Sequence, residues 1–208
     1  MDGDAKTYIG EDNTHSIQTL TGNFFDLVNP APHMVFLRDI AEAAAKVNRF
    51  TGHTIAPYSV AQHCVWASFM VSPEAAPYAL LHDAHEAYIN DKSTPQKTAE
   101  AIVIAHALGI DLERVKEALR IIPRRIDAAV FQRFNLPWPA QKAIMDEVKA
   151  VDILALSTEK RDLMAHDRPW TYPLPAPYRG ITKPWPWVHA ADAFVERARH
   201  LGLQEMPF

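Results

Sequence analysis

The sequence is poor in the features that mark several protein classes. It has one cysteine, Cys64, in 208 residues. A lone thiol forms no intramolecular disulfide and builds no cysteine-rich zinc site. Basic residues are not in excess: 21 Lys and Arg stand against 25 Asp and Glu, a formal net charge of −4. That balance argues against nucleic acid as the partner. The longest stretch without a charged side chain, Phe50 to Pro73, is 24 residues. It is interrupted by His53, Pro57, Gln62, His63 and several hydroxyls, so no membrane span and no membrane partner are expected. The opening residues, Met1-Asp2-Gly3-Asp4, carry no apolar signal core, and a cytoplasmic protein is the expectation. Strand-like alternation is nearly absent. What is present is an ordinary globular composition, 48% apolar and 22% charged, at a length that suits one domain over residues 1–208.

The apolar pattern is helical along most of the chain, and the expected class is all-α. Residues 1–36 hold Gly10, Gly22, Pro30 and Pro32 with no sustained period, and read as an arm or a short hairpin. From Arg38 to Arg49, Ile40, Ala43, Ala44 and Val47 recur at spacings of three and four. Ser59-Val60-Ala61-Gln62 is a capping-box pattern ahead of the stripe Val60, Cys64, Ala67, Val71. Ser72-Pro73 then starts a helix that runs to about Ile89, and Thr94-Pro95 starts another that Gly109 stops. Helical stretches follow at 112–121, 124–134, 140–164 and 187–201. Between the last two, residues 167–187 hold six prolines and three tryptophans. So many missing backbone donors exclude a helix or a central strand, and the Trp content predicts a segment packed over the domain.

Polar residues placed where core residues belong carry the functional signal. In the long helix near the C-terminus, Ile144, Val148, Val151 and Ala155 form a stripe, and Asp152 stands on or beside it. His63 lies beside the stripe of the capped helix, and His82-Asp83 follows the apolar run Tyr78-Ala79-Leu80-Leu81. A carboxylate on a core face must be neutralised, paired or bound to metal. On an α-helix, His82 and Asp83 diverge by about 100° and reach one point beyond the surface, with Glu86 one turn along and about 40° off the His82 line. His63 and Asp152 can complete a His-His-Asp-Asp set. Imidazole and carboxylate donors suit one divalent transition ion, Zn, Mn, Fe, Co or Ni, rather than Ca.

The order His63…His82-Asp83…Asp152 resembles the HD-domain superfamily of metal-dependent phosphohydrolases, which fold as helical bundles. The segments Asn48-Arg49-Phe50, Ser59-Val60-Ala61-Gln62-His63 and His82-Asp83-Ala84-His85-Glu86, followed by Asp91 and Thr94-Pro95-Gln96-Lys97, resemble the bacterial 5′-deoxynucleotidase branch. They resemble equally the phage and antibiotic-pathway relatives that act on deoxynucleoside triphosphates. The resemblance covers about residues 38–165. It implies one metal on His63, His82, Asp83 and Asp152, acid–base catalysis by Glu86, and a phosphate contact from Arg49. It further implies an acid near the substrate sugar or leaving group at Asp91, with Lys97 as a further phosphate contact. His53, in the turn beside the proposed site, is a candidate substrate contact. Dinuclear members insert extra histidines before the last Asp. Only His106 lies between Glu86 and Asp152, on an Ala/Ile-rich segment read as a packing helix, so one metal is expected.

The resemblance implies a hydrolase whose partner is a small nucleotide, and an oligomer of identical chains is compatible with it. The expected reaction is release of phosphate from a 5′-deoxynucleoside monophosphate. The alternatives are a triphosphohydrolase releasing tripolyphosphate and a nucleotide-binding protein without turnover. Three features read as structural. Cys64 is a core thiol, His166-Asp167 a helix-end pair without an acid in place at Trp170, and Lys92 a surface lysine.

Overall fold

The computed structural model of the protein describes residues 14–206. The part of the N-terminal arm over residues 1–13 lies outside them. Among the described residues the chain is mainly helical, as the patterning requires, with one two-stranded sheet. Strands β1 (Ser16–Gln18) and β2 (Phe24–Asp26) pair antiparallel with Ile17 opposite Phe25. This is the hairpin form of the expected arm. It docks on helix α1 (Leu37–Lys46) because Asp39, buried in the first turn, accepts hydrogen bonds from the Thr21 backbone N–H and hydroxyl, each at 2.8 Å. A carboxylate there also suits the positive end of the helix dipole.

Helix α2 (Val60–Phe69) is the centre of the packing. Val60, Ala61, Gln62, His63, Cys64, Val65, Ala67 and Ser68 are all buried, so it is covered nearly all round. Its neighbours are α1, α3 (Ala76–Leu81), α8 (Lys142–Leu163) and α9 (Trp187–His200). Ser59 caps it as expected, accepting from the Gln62 N–H at 3.2 Å. The Gln62 side chain does not close the box, however. Its amide donates to the Lys183 carbonyl and accepts from the Trp185 N–H, which anchors the Pro/Trp segment. Helix α8 holds the rest of that segment, through Ser157 to the Pro175 carbonyl and from the Tyr178 N–H to Thr158. The segment covers the domain without regular structure, as its prolines dictate.

Four expectations are corrected. The first helix stops at Lys46, and Arg49 stands in the 3-10 turn Arg49–Gly52 beyond it. The helix expected to reach Ile89 is interrupted: α3 ends at Leu81 and α4 covers Glu86–Ile89. Helix α5 (Thr94–Leu108) is capped by Ser93, whose side chain accepts from the Gln96 N–H, rather than by Thr94. Its Ala/Ile-rich run is not a packed core, because only Ala101 is buried and Ile102, Val103, His106 and Leu108 are exposed. It packs on α6 (Leu112–Leu119), which leads into α7 (Ile121–Arg133). Among the described residues no helix is long and apolar enough to cross a membrane.

Helix α9 lies outside the stretch that carries the motifs, yet its Ala190, Ala191, Phe194 and Ala198 are buried in the same core as α1 and α2. Phe194→Ala should therefore destabilise the whole fold by about 3–5 kcal/mol, read from urea denaturation. A loss under ~1 kcal/mol would make α9 an appendage.

Candidate metal centre

Four elements bring the site together. The backbone runs antiparallel at Asn48 and Ser59, with the Arg49 N–H donating to the Tyr58 carbonyl at 2.9 Å and the Val60 N–H to the Val47 carbonyl at 3.0 Å. This pairing sets Arg49 beside the start of α2 and therefore beside His63. Phe50 and Thr51 then take left-handed φ values of 57° and 54°, conformations that cost strain for a bulky and a β-branched residue. From the other side, α8 presents Asp152 and, two turns on, Glu159.

The third contribution is the turn between α3 and α4. Its backbone bonds close three residues back: Ala84 N–H to Leu81 O and Glu86 N–H to Asp83 O, both 3.0 Å. At three residues per turn, positions i and i+3 eclipse. Glu86 is therefore aligned with Asp83 on one side of the turn, where an α-helix rotates the two about 60° apart. Asn90, with φ 64° and ψ 160°, then reverses the chain so that Asp91 comes within electrostatic reach of Glu86 and Asp83.

One donor atom from each of His63, His82, Asp83 and Asp152 lies within 4.8 Å of every other. His63 Nε2 is 3.3 Å from His82 Nε2 and 3.2 Å from Asp152 Oδ1, and His82 Nε2 is 3.2 Å from Asp83 Oδ2. Donors about 2.0–2.2 Å from one ion in tetrahedral array stand about 3.3–3.6 Å apart, so the spacing fits. The tautomers fit too. His63 Nδ1 meets Glu159 Oε1 at 2.7 Å and His82 Nδ1 meets the Ala79 carbonyl at 2.8 Å. With each Nδ1–H donated there, both Nε2 atoms turn toward the two carboxylates, where each holds a proton or, once that proton is released, a metal ion. The donors suit a divalent transition ion. His63 is fully buried, whereas the Asp152 side chain is 38% exposed, so the cluster opens to solvent on the α8 side.

The electrostatics are those of a site built for positive charge. Burial raises the Asp83 and Asp152 carboxyls, but the imidazoles of His82 and His63 override it and hold both well below the ordinary range. Burial lowers the His82 imidazole, and Asp83 beside it more than reverses that. Glu86 behaves oppositely. Burial, then Asp83, then Asp91 push it up to about 9. Its Oε2 is buried with no hydrogen-bond partner.

Arg49 is buried and donates from Nε to Glu159 at 3.1 Å and from a terminal nitrogen to Asp83 at 3.3 Å, with Asp152 at 3.9 Å. It is no helix-end cation. Lys97 is exposed on α5, and its charge offsets part of the burial that raises the Glu86 and Asp91 carboxyls. His53 stands exposed outside the donor cluster. Cys64 is buried and reads as a core thiol, while His166 and Asp167 are exposed beyond the end of α8.

Sequence reasoning missed Glu159, Tyr58, His85 and Asp127. Glu159 continues the α8 stripe four residues after Ala155, and that signal was available. Tyr58 hydrogen-bonds Glu159, and His85 Nδ1 lies 3.0 Å from Asp127; nothing local marks either pair. Because Glu159 orients His63, Glu159→Gln should weaken metal binding about 10- to 100-fold while the chain stays folded. Equilibrium dialysis against a competing chelator measures this, and wild-type affinity would remove Glu159 from the centre.

No family model matches the chain. It is 33% identical over 190 residues to the uncharacterized protein YfdR of Escherichia coli K12, covering 89% of this chain and 94% of YfdR. It is 30% identical over 190 residues to an uncharacterized protein of Rhodobacter capsulatus, covering 83% of this chain and 89% of that one. With that identity sustained over nearly the full length of both proteins, the chain belongs to the YfdR family.

Proposed function

We propose that this chain is a metal-dependent phosphohydrolase of the HD-domain superfamily that releases phosphate from 5′-deoxynucleoside monophosphates. The observation that carries the reading is the convergence of His63, His82, Asp83 and Asp152 on one point, with the buried, unpartnered Glu86 one short turn from Asp83. A divalent ion on those donors would lower the pKa of water and polarise a phosphoryl oxygen. Glu86 gives the proton on its free carboxyl oxygen to the 5′ oxygen as water adds to phosphorus and the bond from phosphorus to that oxygen breaks, and it then takes up the proton the water releases. Asp91, next to it, faces the sugar. Arg49 keeps the donor carboxylates in place and offers its remaining N–H groups to a phosphate oxygen. Lys97 adds positive charge at the rim.

The monophosphate is favoured over the triphosphate by the supply of cations. Lys92, the other lysine of this segment, is 2.9 Å from Glu100, and the net charge of −4 offers no attraction at long range. Incubating dAMP and dATP separately with Co²⁺ tests the choice. Inorganic phosphate from dAMP is expected. Tripolyphosphate from dATP with dAMP intact would move the substrate to the triphosphate, and no hydrolysis with any divalent ion would leave a binding protein.

Glu86→Ala should keep the fold and the tightly bound ion while kcat falls about 10²- to 10⁴-fold. A variant with near-wild-type kcat and metal bound would exclude Glu86 from proton transfer.

A further inference from the structure

A second set of donors shares Asp83 with the first. Asp83, His85 and Glu86 each bring a donor atom within 4.8 Å of the others. Three observations set this group apart from a chance gathering of acids. Glu86 is only 4% exposed and its Oε2 has no hydrogen-bond partner, an expensive state for a buried carboxyl oxygen. The histidine repeats the arrangement seen at His63, a ring Nδ1 facing a buried carboxylate, here Asp127 of α7 at 3.0 Å. With the Nδ1–H donated there, the ring keeps the tautomer that leaves Nε2 free as a ligand. Finally, the tight turn aligns position 83 with 86, which puts two of the three donors on one side of the chain beside His82 of the first set.

We propose that Asp83, His85 and Glu86 form a second divalent-cation site, with Asp83 shared between two ions and Asp127 as the positioning residue for His85. One imidazole and two carboxylates suit Mn²⁺. The site has three protein donors against four, and Glu86 cannot hold a proton and an ion at once, so it is the weaker of the two. The inference rests on the metal-centre reading above for the shared Asp83 and goes beyond it in number of ions and ligands.

The test is equilibrium dialysis of the full-length chain against MnCl₂, with the stoichiometry read by elemental analysis. Wild type should take up two equivalents, the second more weakly. His85→Ala should keep the tight equivalent, which also certifies its fold, and lose the weak one. Should that variant fail to fold, Glu86→Gln carries the same test from the other donor. Asp127→Asn should weaken the second equivalent about 10- to 100-fold and leave the first unchanged. A single equivalent at saturation, or a second one that survives both His85→Ala and Glu86→Gln, overturns the second site and leaves the first standing. No bound manganese at all overturns both.

Discussion

The site depends on one buried carboxylate. Glu159 is 1% exposed and meets three groups at once: the Arg49 guanidinium, the His63 ring and the Tyr58 hydroxyl. Arg49 stands in the turn after α1, Tyr58 just ahead of the α2 cap and His63 in the first turn of α2, so one residue of α8 ties the turn after α1 to the start of α2. A buried ion pair contributes little net stability against an apolar replacement, and losing one partner costs about 3–5 kcal/mol. Glu159 therefore specifies an arrangement more than it stabilises a fold. That arrangement turns His63 Nε2 toward the other donors.

The charges around the centre divide into three groups. Glu159 and Arg49 offset each other away from solvent. Asp83 and Asp152 face the imidazoles. Glu86 and Asp91 remain, both raised by burial first and then by the charge of Asp83. The site thus combines carboxylates held ionised, suited to ligation, with Glu86, whose carboxyl is raised to about 9 and is suited to giving a proton up. Two kinds of carboxyl within a few residues are what separate acid–base roles require.

The donors His63, His82, Asp83 and Asp152 were legible in the sequence because a polar group on an apolar stripe needs a partner, and four such groups in helical register have few ways to find one. Glu159 was legible as an acid on the α8 stripe, but which groups it meets was not, because they lie 96 and 110 positions away. The α-helical turn assumed around His82 misplaced Glu86. The turn joins α3, which packs on α2, to α4, which packs on α1, and those non-local contacts are not written in the residues between them. Helix α5 failed as a packing helix for a related reason. Apolar composition shows what a helix can bury, and only its neighbours decide what it does bury. The Pro/Trp segment read correctly because proline acts through the backbone and needs no partner.

The left-handed backbone at Phe50 and Thr51 bears on how this chain tolerates change. Glycine is the residue that such dihedrals favour, and Gly52 already follows with φ 77°. A screen for thermostability would be drawn to Thr51→Gly, which relieves strain in an exposed turn. Thr51 lies two residues from Arg49, whose backbone Tyr58 holds and whose guanidinium Glu159 and Asp83 hold. Heat resistance can therefore be gained there at the edge of the site while its buried cation keeps its place.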